Sequence, residues 1–269
     1  MIPHHAARTR RTRFVSSIQS PTTPSSCGLF ESSLRRLRQS ATRTSDVRIE
    51  LPDEGAVRMR NLVHRGTQRP VFKVSSLTIG RVVQCESLLE VDAVLCLDAH
   101  PGSAYFSEQP LRIHYLHDGA WRSHVPDLAV LTHGKLVLVE VKFDKDVTDD
   151  IVARTTHLTL SLSRLGVDYR LINEDSIRQG HAVQNAHRLL RRARHAAEEV
   201  DLLYVLEHVR CRDDLTLEDF DWDVPSSREA SCIAQLILRG LAQVQTAELL
   251  TGALRVWSSK QTREEASLW

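Results

Sequence analysis

The sequence predicts an α/β fold, a mixed β-sheet flanked by helices, followed by a helical domain that closes on two short strands. Three observations lead there. Between Val71 and Asn173, apolar residues alternate between helical and strand periods. The last strand of that region, Val167–Ile172, follows a helix rather than a turn, as in a parallel crossover. Beyond Glu174 the pattern is helical as far as Gly240, and only then do two strand-like pieces appear.

The elements follow in order. Residues 1–55 are rich in Arg, Ser, Thr and Pro and show no sustained apolar period, so they read as a disordered basic segment. That segment is either a solvated arm or sequence upstream of a start near Met59. The first domain, 56–175, contains a helix over Glu86–Asp98 with its apolar stripe at Leu89, Ala93, Cys96 and Leu97. Strands are expected at Ala104–Glu108, Leu111–Leu116, Arg122–Leu131 and Lys135–Lys142, with tight turns at Asp118-Gly119 and His133-Gly134. A helix capped by Thr148, with Asp149 and Asp150 in its first turn, stops at Gly166. In the second domain, 176–269, helices are expected over Gln184–Glu199, Leu202–Val209, Leu215–Phe220 and Arg228–Arg239. Strands at Leu241–Gln245 and Ala253–Trp257 then complete the order of a winged helix.

Composition narrows the chemistry. No apolar run approaches the ~18 residues of a membrane span. The five cysteines are scattered, without a CxxC pair, so they read as reduced thiols of a cytoplasmic protein, and cysteine-held zinc is not expected. Nine arginines against three acids give residues 1–50 a balance of about +6, and the overall +1 therefore leaves about −5 for the rest. There is no glycine-rich phosphate loop and no G-x-S-x-G nucleophile setting.

The chemistry-bearing pattern is Pro126-Asp127 followed by Glu140-Val141-Lys142, each in an apolar strand. Alternation puts Glu140 and Lys142 on one face, and the His133-Gly134 turn brings Asp127 near to cross-strand register with Glu140. Two carboxylates so close repel unless a cation lies between them, and hard oxygens select Mg²⁺ or Mn²⁺. Lys142 would assist an attacking water, the equipment of phosphodiester hydrolysis. The bland alternative is a set of strand-end charges with Lys142 as solvated counterion. Glu86 and Glu90, four apart on the preceding helix, offer a third acid. His114, His117 and His124 read as solvated strand histidines. Arg188, Arg191, Arg192 and Arg194 read either as a DNA or partner face or as a solvated helix side.

In order, Cys85-Glu86-Ser87-Leu88-Leu89-Glu90, Phe106-Ser107-Glu108-Gln109-Pro110, Val125-Pro126-Asp127 and Val139-Glu140-Val141-Lys142 resemble the N-terminal domain of TnsA transposon endonucleases, in the PD-(D/E)xK restriction-like nuclease superfamily. The resemblance covers about residues 70–175. It implies a restriction-endonuclease-like sheet, with Glu90, Asp127 and Glu140 as metal-binding acids, Lys142 as the lysine, and Gln109 (with Glu86 the rival for the helix acid) beside the site. It further implies Mg²⁺-dependent cutting of double-stranded DNA at the 5′ ends of a transposon. The partners would be a TnsB-like DDE transposase and a TnsC-like AAA+ ATPase. The C-terminal region, through element order and Leu236–Leu241, would be the winged-helix-like module that docks the ATPase. Alternatives on the same scaffold are a free-standing restriction or repair nuclease, and an inactive DNA- or protein-binding module.

Overall fold

The computed structural model describes residues 24–60, 70–101 and 103–259. The first 23 residues of the expected basic segment lie outside them. Among the described residues two compact units are present, one formed by 24–98 with 103–179, the other by Ala99–Pro101 with 180–259.

The folded chain begins earlier than composition suggests. Helix α1 (Pro24–Ala41) and strand β1 (Val47–Glu50) occupy a stretch that the sequence reading assigned to disorder. Phe30, Leu34, Leu37 and Ala41 recur at helical spacing and are buried, as are Val47 and Ile49 on alternate positions of β1. They join one core with Leu111, Ile113, Leu138, Leu158 and Tyr169. A chain starting at Met59 would lack this whole layer. Leu and Phe were sparse enough among the arginines to hide the stripe, and tertiary burial rather than local composition sets the boundary.

A hairpin of β2 (Phe72–Ser75) and β3 (Val82–Cys85) precedes helix α2 (Leu88–Ala99). Strands β4 (Ser103–Glu108), β5 (Arg112–His117), β6 (Ala120–His124), β7 (Leu128–Thr132) and β8 (Lys135–Val141) follow, then helix α3 (Asp149–Ser163) and strand β9 (Asp168–Ile172). The sheet that carries the candidate site is ordered β4-β7-β8-β9, and a second, β1-β5-β6, is antiparallel throughout. In the first, β4, β7 and β8 are antiparallel and β8 is parallel to β9, joined through α3 as the crossover pattern predicts. Both expected tight turns form: Asp118-Gly119 and His133-Gly134 adopt positive φ at both central positions, the geometry that suits the twist of flanking strands.

The single strand expected over Arg122–Leu131 is instead two. The chain leaves the β1-β5-β6 sheet after His124 and enters the other at Leu128. Pro126, which has no N–H to give a ladder, sits in the break.

Helix α4 (Glu174–Ile177) belongs to the first unit; the second has helices α5 (Ala182–Ala193), α6 (Glu199–Cys211) and α7 (Arg228–Leu238), with strands β10 (Ala242–Val244) and β11 (Val256–Ser258) paired antiparallel. One core joins Leu189, Leu202, Leu206, Leu215, Trp222, Ile233, Leu236 and Val256. Buried Asn185 is satisfied through Nδ2 to the Thr246 and Glu248 carbonyls and through Oδ1 from the Leu250 N–H. Arg188 donates to the Leu250 carbonyl at 2.6 Å. Arg192 donates to the Trp222 carbonyl at 2.6 and 2.8 Å and lies 4.1 Å over that indole. These two arginines are staples of their own unit, whereas Arg191 and Arg194 are exposed. No described helix is long and apolar enough to cross a membrane.

Candidate active site

Pairing of β7 with β8 runs from Thr132↔Lys135 to Leu128↔Val139, so the next position along sets Asp127 opposite Glu140. There the ladder ends and a side chain takes over: Asp127 Oδ2 accepts the Val141 N–H at 2.8 Å. On the other side Gln109, at φ +44°, donates its N–H to the Asp127 carbonyl at 2.8 Å. Asp127 is therefore held at both ends by backbone it cannot easily leave.

Glu140 and Lys142 share a face of β8, as alternation requires. Lys142 Nζ lies 3.0 Å from Glu140 Oε1 and 3.4 Å from Asp127 Oδ2, so the ammonium bridges both acids. Three further groups, none singled out as part of the site from sequence, complete the setting. Arg154 of α3 donates to Glu140 Oε1 at 3.0 Å. His124 Nε2 stands 2.8 Å from Glu140 Oε2 and 2.9 Å from the Tyr169 hydroxyl. His124 was expected to be solvated, but pairing with Ile113 puts it on the inner side of β6, and its side chain is only 11% exposed. The contacts from α3 and β9 carry no local signal.

The electrostatics are lopsided. Burial pushes the Asp127 carboxyl up, nearby Glu140 adds to this, and Lys142 only partly opposes it, leaving it at about 7. Burial also works against charge on Glu140, yet the hydrogen bond and charge of His124, followed by Lys142, hold it down at about 2. Lys142 is disfavoured by burial too, but the two acids keep its pKa above the ordinary lysine value.

Glu90 lies on the same cavity wall with its carboxylate already engaged. Ser87 caps α2 by accepting the Glu90 N–H at 3.1 Å, and its hydroxyl donates back to Glu90 Oε1 at 3.0 Å, while the Glu86 N–H donates to Oε2 at 2.8 Å. Burial raises the Glu90 pKa against those hydrogen bonds. Glu86, on the same cavity wall, accepts from Gln109 Nε2 at 2.6 Å with Arg60 at 3.3 Å. Its neighbour Glu108 is buried between Arg58 and Arg81 and belongs to the scaffold.

Glu86, Glu90, Asp127, Glu140 and Lys142 line one cavity of about 610 Å³, with Arg60, Arg112, His124 and Arg154 also on its walls. Gln109 is not on its wall and acts from behind. Asp127 and Glu140 offer the carboxylate oxygens that a hard divalent cation takes, although in this state Glu140 Oε2 stands 2.8 Å from His124 Nε2 and its Oε1 3.0 Å from both Lys142 and Arg154. The three-acid set expected from sequence does not assemble. Among the described residues no three His, Cys, Asp or Glu side chains are gathered to hold an ion, because the cap of α2 retains Glu90. Cys85, buried beside the site, has its thiol pushed far up by burial and by the charges of Glu90, Glu108 and Asp127, so it is no nucleophile. No protein-family model matches this sequence, and no curated protein matches it.

Proposed function

We propose that the chain is a divalent-metal-dependent DNA endonuclease of the PD-(D/E)xK kind, making the 5′-end cuts that excise a transposon together with a DDE transposase and an AAA+ ATPase. The observation that carries this reading is the convergence of Asp127, Glu140 and Lys142 on one cavity wall, at the end of a β7–β8 ladder. The mixed β4-β7-β8-β9 sheet with helical crossover agrees with a restriction-like core. In the second unit, helices followed by the β10–β11 ribbon, with an added bridge between Thr216 and Arg255, agree with a winged-helix-like module.

In this mechanism Asp127 and Glu140 would hold a Mg²⁺ or Mn²⁺ ion. When bound, the ion supplies positive charge to the phosphate and makes a coordinated water more acidic. With its carboxyl pushed up to about 7, Asp127 would be more fully ionised when a cation compensates it. Glu140 is kept ionised by His124, Lys142 and Arg154, which also fix its rotamer. Lys142, released in part from bridging the acids, offsets charge that develops on the phosphate oxygens. Tyr169, hydrogen-bonded to His124, keeps that ring in place. The cavity walls carry nearly as many basic as acidic groups, so they form no deep negative well for a free cation. Low activity in isolation and activation within a complex follow.

The test is to incubate the chain with the presumed transposase, end-bearing DNA and Mg²⁺, then map strand breaks for wild type and Asp127→Ala. The variant should lose the 5′ cuts and leave the 3′ cuts. Persistent 5′ cuts would show that the site is assigned wrongly. One observation favours an inactive binding module instead, namely Glu90 locked in its cap with cations already neutralising Glu140. Wild-type chain that binds ends but never cuts them, with any divalent metal, would favour that reading.

A further inference from the structure

The outer face of the β1-β5-β6 sheet has no part in the chemistry described so far. Its registers, Arg48↔His114, Glu50↔Arg112, His114↔Ser123 and Leu116↔Trp121, set Arg48, Arg112, His114, Trp121 and Ser123 on one side. Val47, Ile49, Ile113 and Tyr115 are buried on the other. Trp121 is 45% exposed, and the Arg48 guanidinium stacks 4.5 Å over its ring. Among the described residues no carboxylate pairs with Arg48, which is exposed.

Within β1 as described, the acid on this face is Glu50. Glu50 accepts from Arg112 at 3.1 Å and stands 2.9 Å from His114 Nε2, in an exposed cluster where such pairs contribute little to stability. The face is also continuous with the cavity, since Arg112 and Ser123 line both. A solvated strand face would need none of this. An arginine stacked on an exposed indole, with a second arginine on the wall of the neighbouring cavity, is the combination of charge and flat aromatic surface that nucleic acids use.

Resting on the nuclease reading above, we propose that this face is the platform on which duplex DNA lies as its scissile phosphate enters the cavity. Arg48 and Arg112 contact backbone phosphates on the way in, and Trp121 packs against the sugar edge. The N-terminal layer of the fold thereby gains a role, since β1 supplies Arg48 and Glu50.

The experiment measures binding of the full chain to labelled duplex DNA by fluorescence anisotropy in EDTA, where cleavage cannot occur, from about 50 to 200 mM salt. Arg48→Gln should weaken binding about three- to tenfold and lower the slope of log K against log salt by about 1. Trp121→Ala should weaken binding about fivefold while leaving more of the slope intact. Glu50→Gln, which removes the acid that β1 places on the face, should tighten binding about two- to threefold. This gain cannot arise from misfolding. Unchanged affinity and slope in all three variants, with cleavage by the wild type intact, overturns the platform and leaves the nuclease reading standing. The expected shifts without any cleavage by the wild type uphold the platform and remove the nuclease reading. Equal shifts with duplex RNA would overturn the assignment to DNA.

Discussion

Asp127→Asn should make the metal-free protein more stable while removing its proposed activity. Asp127 is buried with its side chain only 11% exposed, and its carboxyl is pushed from the ordinary 3.8 to about 7, first by burial and then by Glu140. At ~1.4 kcal/mol for each tenfold change in proton affinity, the folded state at pH 8 bears a cost of up to about 4 kcal/mol for that charge. The sign follows from linkage. The group is easier to protonate folded than unfolded, so its favourable contribution is complete below pH 3.8 and is lost as pH rises through about 7. An amide removes the charge and can still accept the Val141 N–H, and the attraction of Lys142 that it forfeits is already counted in the value of about 7. The gain at pH 8 is then up to about 4 kcal/mol, or roughly 8–16 °C in Tm for a chain of this size. At pH 5 the gain should fall to about a third, because the wild-type carboxyl is by then largely protonated in the fold. Urea denaturation in EDTA at the two pH values measures both. Added Mg²⁺ should stabilise the wild type and not the variant, by about 2.7 kcal/mol at a hundredfold excess over Kd. A variant less stable than wild type at pH 8, or a gap that does not shrink at pH 5, would refute the electrostatic account of the site.

Glu90→Gln should cost about 1 kcal/mol through the weakened α2 cap and change Mn²⁺ affinity less than threefold, read by titration calorimetry. A tenfold loss of affinity would return Glu90 to the ligand set. Leu37→Ala should cost about 2–4 kcal/mol in denaturant unfolding, since Leu37 is 2% exposed in the core between α1 and the sheets. A chain shortened to begin at Met59 should show no cooperative transition in its first unit, and a normal one would demote α1 and β1 to decoration. Arg192→Ala should destabilise the second unit by about 2 kcal/mol, through loss of the Trp222 contacts, with no change in the salt dependence of DNA binding. A fall in that salt dependence would mean that Arg192 meets phosphate after all.

The parts of the site that could be read from sequence are those set by local geometry. Strand alternation gives Glu140 and Lys142 a common face, and a two-residue turn fixes which residue of β7 opposes Glu140. The charges that make the site work arrive from elsewhere in the chain. His124 depends on which side of β6 faces inward, Arg154 on the rotation of α3, and Tyr169 on the parallel register of β9. No periodicity reports a contact between those elements. The N-terminal layer was missed for a different reason, because a narrow apolar stripe at Phe30, Leu34, Leu37 and Ala41 is diluted by arginines and declares itself only once buried.

Glu90 marks the point where a sequence pattern supports two physical roles at once. Ser87-Leu88-Leu89-Glu90 is a capping box by its spacing and a helix-acid motif by its resemblance, and both need the same carboxylate. In the fold the cap has it, through the Ser87 hydroxyl and the Glu86 N–H. Asp127 and Glu140 can take an ion without disturbing any helix, for their hydrogen bonds come from strand ends and long side chains. Recruiting Glu90 would require opening the first turn of α2 and leaving the Glu86 N–H without its acceptor. The two-acid site is therefore the one that the resting fold supports, and a third acid could join only if DNA or a partner compensated for the lost cap.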